Sequence, residues 1–117
     1  MLRIAIVEDN DTDREIITDA LGRFETEENE HFSITEFHDA MDFLEQRKMD
    51  FQMVFMDIQM PGLSGIQAIR EIQKFNRSVV FVIITAYDKF NYAKEAVNLG
   101  VMEFLTKPVN KKVILEI

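Results

Sequence analysis

Residues 51–57 read Phe-Gln-Met-Val-Phe-Met-Asp, an apolar run broken only by Gln52 and closed by a carboxylate. A run without a polar face suits a strand buried on both sides of a parallel sheet. Pro61-Gly62 then breaks the chain, and Ser64 with Gln67 has the spacing of a capping box for a following helix. This pattern puts Asp57 at the carboxyl end of a central strand, the edge where open α/β sheets place their ligands. Taken alone, Asp57 reads as well as a mere strand-end residue or cap as it does as a ligand-site carboxylate.

The rest of the chain repeats the same grammar. Leu2 to Val7 is a first buried strand ending in Glu8-Asp9. Thr12 and Glu15 have capping-box spacing, and Ile17, Ala20, Leu21 and Phe24 follow as one helical stripe. Gly22 weakens that helix by about 1 kcal/mol relative to alanine. Glu25 to Glu30 reads as a solvated acidic loop. Phe32 to Phe37 alternates apolar and polar residues, as expected of a half-buried strand near an edge. His31 and His38 flank it without a second ligand at metal spacing and read as surface residues. Asp39 caps a second helix with Ala40, Phe43 and Leu44 inward, and Ile66, Ile69 and Ile72 line a third. Val79 to Ile84 is a continuous apolar strand ending in Thr85-Ala86. Asp88 caps a fourth helix that Gly100 stops after Leu99. Val101 to Leu105 is a fifth strand ending in Thr106-Lys107-Pro108, and Asn110 to Ile117 opens a last helix that is cut short. Five β-α repeats imply an α/β fold with a parallel sheet and right-handed crossovers.

Composition removes several function classes. The 117 residues make one domain, and 47% hydrophobic content supports a core without staples. The absence of cysteine excludes disulfides and thiolate sites and fits a reducing compartment. No apolar run approaches about 18 residues, and Met1-Leu2-Arg3-Ile4 enters a strand directly, so neither a membrane span nor a signal peptide is expected. A net charge of −8 disfavours direct contact with nucleic acid. Neither a G-x-G-x-x-G nor a P-loop pattern occurs.

Glu8 and Asp9, Asp57, Thr85 and Lys107 each follow a strand, so in a parallel sheet they share one edge. Three crowded carboxylates cannot all stay ionised unless a cation shares the site, and hard oxygen ligands suit Mg²⁺. A lysine and a hydroxyl opposite the metal would bind phosphoryl oxygens, and an aspartate can itself be the nucleophile that forms an acyl phosphate.

Glu8-Asp9, Met56-Asp57-Ile58-Gln59-Met60-Pro61-Gly62, Thr85-Ala86 and Lys107-Pro108 together resemble the signature of the receiver domain of two-component response regulators, over essentially the whole chain. The resemblance implies a flavodoxin-like, doubly wound five-stranded parallel sheet of order 2-1-3-4-5 with helices on both faces. It also implies that residues 1–117 form a cytoplasmic receiver domain with a truncated last helix and an output domain outside this sequence. Asp57 would accept a phosphoryl group from a sensor histidine kinase. Glu8, Asp9, Asp57 and the backbone carbonyl of Gln59 would hold Mg²⁺. Lys107 would pair with the phosphoryl group, while Thr85 and Phe104 would act as the switch pair. Phe104 lacks the hydroxyl that many receivers have at this position, so it would switch by packing alone. The Lys107–Pro108 bond is expected to be cis. Gln59 and Tyr87 would tune the phosphorylated lifetime, with Tyr87 hindering water.

The fourth helix spreads Phe90, Tyr92, Ala93, Ala96, Val97 and Leu99 over about half its circumference. With the fifth strand and last helix, its edges would form a phosphorylation-dependent homodimer face. The expected output is transcription, with DNA contacted only through the output domain. A stand-alone adaptor is the alternative. The tail from Thr85 to Val113 looks like receivers that precede a helix-turn-helix module, and the Glu-Asp-Asn start like receivers fused to a β-rich one. An aspartate-nucleophile phosphatase is disfavoured, since it needs an acid/base two residues after the nucleophile and Gln59 stands there. A phosphate-independent interaction module is disfavoured by the intact Asp57, Thr85 and Lys107. No enzymatic activity beyond self-phosphorylation and autodephosphorylation is expected.

Overall fold

The run Leu2–Val7 forms strand β1, flanked by β2 (Phe32–Phe37) on one side and β3 (Met53–Asp57) on the other. β4 (Val80–Thr85) and β5 (Glu103–Thr106) complete a five-stranded sheet of order β2-β1-β3-β4-β5, with every neighbouring pair parallel. This computed structural model describes residues 2–45, 50–58, 64–76, 78–85 and 98–107. The sheet is the flavodoxin-like arrangement anticipated above, with β2 at an edge and half-buried.

The period of two along each strand sorts the core into two layers. Ala5, Val7, Val54, Met56, Phe81 and Ile83 face helices α2 (Ala40–Glu45) and α3 (Gly65–Gln73). Ile4, Ile6, Phe55, Val82 and Ile84 face α1 (Asp11–Glu28) on the other side. The described helices thus lie on both faces, which is why β3 and β4 have no polar face: each residue from Val54 to Met56 and from Phe81 to Ile84 is buried. Burying a side chain of this size contributes about 1.5–3 kcal/mol.

Four local expectations need correction. The N-cap of α1 is Asn10, whose side chain accepts from the Asp13 amide at 2.9 Å, so Thr12 and Glu15 lie inside the helix. Asn10 is favoured because its own N–H is held by Glu8 Oε1 at 3.0 Å, which turns the chain two residues earlier than Thr12. Glu25 to Glu28 is not loop but the last turn of α1. An Arg23–Glu27 pair at 2.9 Å and stacking of Phe24 on Phe32 at 5.7 Å carry the helix onward until Asn29, at φ 52°, ends it. β3 starts at Met53, with Phe51 buried just ahead of it, and β5 starts at Glu103. The predicted caps of α2 and α3 hold. Asp39 Oδ1 accepts from the Asp42 amide at 2.8 Å, and Ser64 and Gln67 make both halves of a capping box.

Among the described residues, no helix is long and apolar enough to cross a membrane. Residues 88–97 of the fourth helix and 110–117 of the last lie outside the described residues, so the proposed dimer face is described only at Leu99 and β5. Leu99 is half-buried against the α2–α3 side of the core.

Candidate functional site

Sheet register decides what meets at the carboxyl edge. Val7 pairs with Met56, Asp57 with Ile84, and Thr85 with Thr106, so β1, β3, β4 and β5 end nearly level. The Lys107 amide donates to the Thr85 carbonyl at 2.7 Å and extends the β4–β5 ladder by one step. The Glu8 amide donates to the Phe37 carbonyl at 3.1 Å and does the same for β1 and β2. Glu8, Asp57, Thr85 and Lys107 are therefore carried on hydrogen-bonded backbone.

The α3 N-terminus approaches this edge so closely that only glycine fits. A Cβ on Gly65 would stand 2.5 Å from the Asp57 carbonyl oxygen and 2.7 Å from Ile58 Cα. The capping box at Ser64 turns the chain into the helix at this point.

Glu8, Asp57 and Thr85 are buried, whereas Asp9 is exposed. One carboxylate oxygen from each of Glu8, Asp9 and Asp57 lies within 4.8 Å of the others. Lys107 Nζ sits among the acids, 3.1 Å from Asp57 Oδ2, 3.1 Å from Glu8 Oε1 and 3.0 Å from Asp13 Oδ2. It also lies 3.0 Å from Glu8 Oε2, yet that oxygen accepts no hydrogen bond.

Burial raises the Glu8 carboxyl from 4.5 to about 8, and the neighbouring Asp57 adds to the rise. The Asn10 amide and Lys107 oppose that shift and are outweighed. For Lys107 burial pulls the other way, but hydrogen bonds to Asp13 and Glu8 and the charge of Asp57 prevail, so its ammonium is held more tightly than usual. Without a cation the cluster thus keeps a proton on Glu8 at neutral pH. A buried carboxylate oxygen lacking a hydrogen bond, within a group of three convergent acids, is a donor set that fits a hard divalent ion such as Mg²⁺.

The family model "Response regulator receiver domain" matches residues 4–117. The chain belongs to that family. As a receiver domain of two-component signalling, it is 31% identical to the chemotaxis protein CheY of Treponema pallidum over 117 residues, covering 97% of this chain and 78% of that protein. It is 36% identical over 63 residues to the uncharacterized transcriptional regulatory protein YesN of Bacillus subtilis, covering 54% of this chain but 17% of that one. The chain therefore spans a small part of some curated relatives and most of another. Among solved structures, the BeF3-activated receiver domain of DrrB, a Thermotoga maritima protein, superposes with a TM-score of 0.85. That alignment covers 99% of this chain and 92% of the other at 22% identity, a likeness of fold. The Mn²⁺-bound form of response regulator Rcp1 also gives 0.85, at 16% identity, covering 99% and 91% of the two chains.

Of the residues singled out from sequence, Glu8, Asp9, Asp57 and Lys107 meet, and Thr85 ends the adjacent strand with its side chain buried. Phe104 is half-buried against the α2–α3 layer and pairs in register with Ile83. Gln59, Tyr87 and Pro108 lie outside the described residues. Sequence reasoning passed over Asp13 and Arg14. Arg14 Nη1 donates to the Glu8 carbonyl at 2.8 Å, and its other nitrogens meet Asp11 and Glu36. Their i, i+3 and i, i+4 spacing from Asn10 was the available signal, since it places both on the turn that faces Glu8.

Proposed function

We propose that this domain takes a phosphoryl group from a phosphohistidine of a sensor kinase onto Asp57. The observation that supports this reading is the convergence of Asp57 and Lys107, 3.1 Å apart, beside Glu8 and Asp9 on one sheet edge. An Asp57 carboxylate oxygen attacks phosphorus as the P–N bond breaks, and the departing imidazole takes up a proton. The product is an acyl phosphate on Asp57. Lys107 offers its ammonium to the transferred oxygens and needs no proton transfer to do so. Glu8, Asp9 and Asp57, with the Gln59 carbonyl, would hold Mg²⁺, which supplies positive charge against the phosphoryl oxygens when bound. Thr85 binds a further phosphoryl oxygen, and Phe104 repacks behind it. The β5 side of the domain then carries the change to an output in another part of a longer cytoplasmic protein. Control of transcription is the reading favoured by relatives such as the regulatory protein from Bacillus subtilis.

Acetyl phosphate with Mg²⁺, followed by intact mass, tests the proposal. One added phosphoryl group is expected, lost without Mg²⁺ and lost in Asp57→Asn. Unchanged labelling of the Asn variant overturns the assignment, and failure of the wild type to label favours a phosphate-independent module.

A further inference from the structure

Lys107 has one more partner than its proposed work requires. An ammonium has three N–H donors, and the carboxylates of Glu8, Asp57 and Asp13 surround it at 3.0–3.1 Å. Glu8 and Asp57 belong to the convergent acidic cluster, and Asp13 does not. Asp13 reaches in from the first turn of α1, where the Asn10 side chain fixes its amide at 2.9 Å. Its own side chain is only 18% exposed, so the contact is largely shielded from solvent. When a divalent ion engages the oxygens of Glu8 and Asp57, Asp13 is the carboxylate left free to keep hold of the lysine.

We propose that Asp13 is a positioning residue that draws Lys107 toward α1 and competes with the phosphoryl group for its ammonium. This rests on the phosphoacceptor reading above. A phosphoryl oxygen bound on the far side of Nζ lies about 6 Å from the Asp13 carboxylate, close enough for like charges to repel appreciably in a partly buried site. Removing the Asp13 charge therefore strengthens anion binding. It has the opposite effect on the cation, because Lys107 then settles on Glu8 and Asp57 and opposes an arriving dication. The two ligands respond in opposite directions, which general damage to the fold does not produce.

The test is calorimetric titration of the whole chain, first with Mg²⁺ alone and then with beryllofluoride at saturating Mg²⁺. Asp13→Asn is expected to bind Mg²⁺ about threefold more weakly and beryllofluoride about tenfold more tightly. Asp13→Glu restores the charge and is expected to return both values toward wild type. Asp11→Asn removes an equal charge from the same turn without touching Lys107 and is expected to shift neither by as much as twofold. If Asp13→Asn weakens both ligands, moves neither, or is matched by Asp11→Asn, the competition is overturned. If wild type gives no beryllofluoride response at all, the phosphoacceptor reading fails and this inference fails with it.

Discussion

Gly65→Ala tests whether the α3–β3 junction is as tightly built as its geometry implies. The added Cβ meets the Asp57 carbonyl oxygen at 2.5 Å, Ile58 Cα at 2.7 Å and Met56 Cγ at 2.9 Å, where ordinary contact begins at 3.4 Å. Two of the three obstacles are backbone atoms of the strand end that carries Asp57, so no rotamer change relieves them. The helix start must retreat by roughly 0.9 Å, the difference between 3.4 and 2.5 Å, or the β3 end must bend. Overpacking of this kind costs about 1–3 kcal/mol, whereas alanine's better helix propensity returns at most about 1 kcal/mol. The net expectation is a loss of about 1–2 kcal/mol, or several degrees in melting temperature for a domain of this size. Gly22→Ala is the internal control. It lies mid-helix with nothing within 4 Å of its Cβ, and a gain of about 0.5–1 kcal/mol is expected there. Denaturant midpoints measure both variants, and Mg²⁺ titration shows whether the retreat also disturbs Asp57. A Gly65→Ala protein as stable as wild type refutes the steric argument.

Two further outcomes follow from the acidic edge. Because folding raises the Glu8 carboxyl from 4.5 to about 8, the folded state binds that proton more tightly than the unfolded chain does. Its stabilisation is present below about pH 4.5 and is lost as pH rises through about 8. Denaturation without divalent ions should show that decline, and Glu8→Gln should flatten it. Mg²⁺ should stabilise the wild type by about 2.7 kcal/mol at a hundredfold excess over its dissociation constant. Asp9→Asn should raise metal-free stability by less than about 1 kcal/mol while weakening that response, and melts with and without Mg²⁺ check both.

The sheet was legible because parallel strands covered on both faces leave an unmistakable trace. Val54–Met56 and Phe81–Ile84 have no polar face, and short unbroken apolar runs of this kind read as strands buried on both sides. The helix ends were harder. Thr12-x-x-Glu15 satisfied the capping-box pattern, but the pattern does not record that Asn10 is already turned by Glu8, a contact between a side chain and a backbone amide two residues on. The Glu25–Glu28 turn was misjudged because polarity alone was counted, when a glutamate-rich stretch is a good helix former once Phe24 is anchored on Phe32. Within the site, residues at strand ends were predictable from topology. Asp13 was not, since its reach to Lys107 depends on how α1 leans over the edge.

On the phosphoacceptor reading, the net charge of the site changes little between its resting and its loaded state. Glu8, Asp9, Asp13 and Asp57 against Lys107 sum to −3 if every group is ionised, from four negative charges and one positive. The burial of Glu8 lowers that to −2 by retaining one proton. A dication would displace the proton and bring the ionised set to −1. Conversion of Asp57 to its acyl phosphate would then restore −2, since a singly charged carboxylate becomes a nearly dianionic ester. The charge of the proton-holding resting state is thus close to that of the metal-bound, phosphorylated one. On this reading the strands need not bear a new electrostatic load when the group arrives. What changes is the distribution of that charge around Lys107, which contacts both Asp57 and Asp13 of α1.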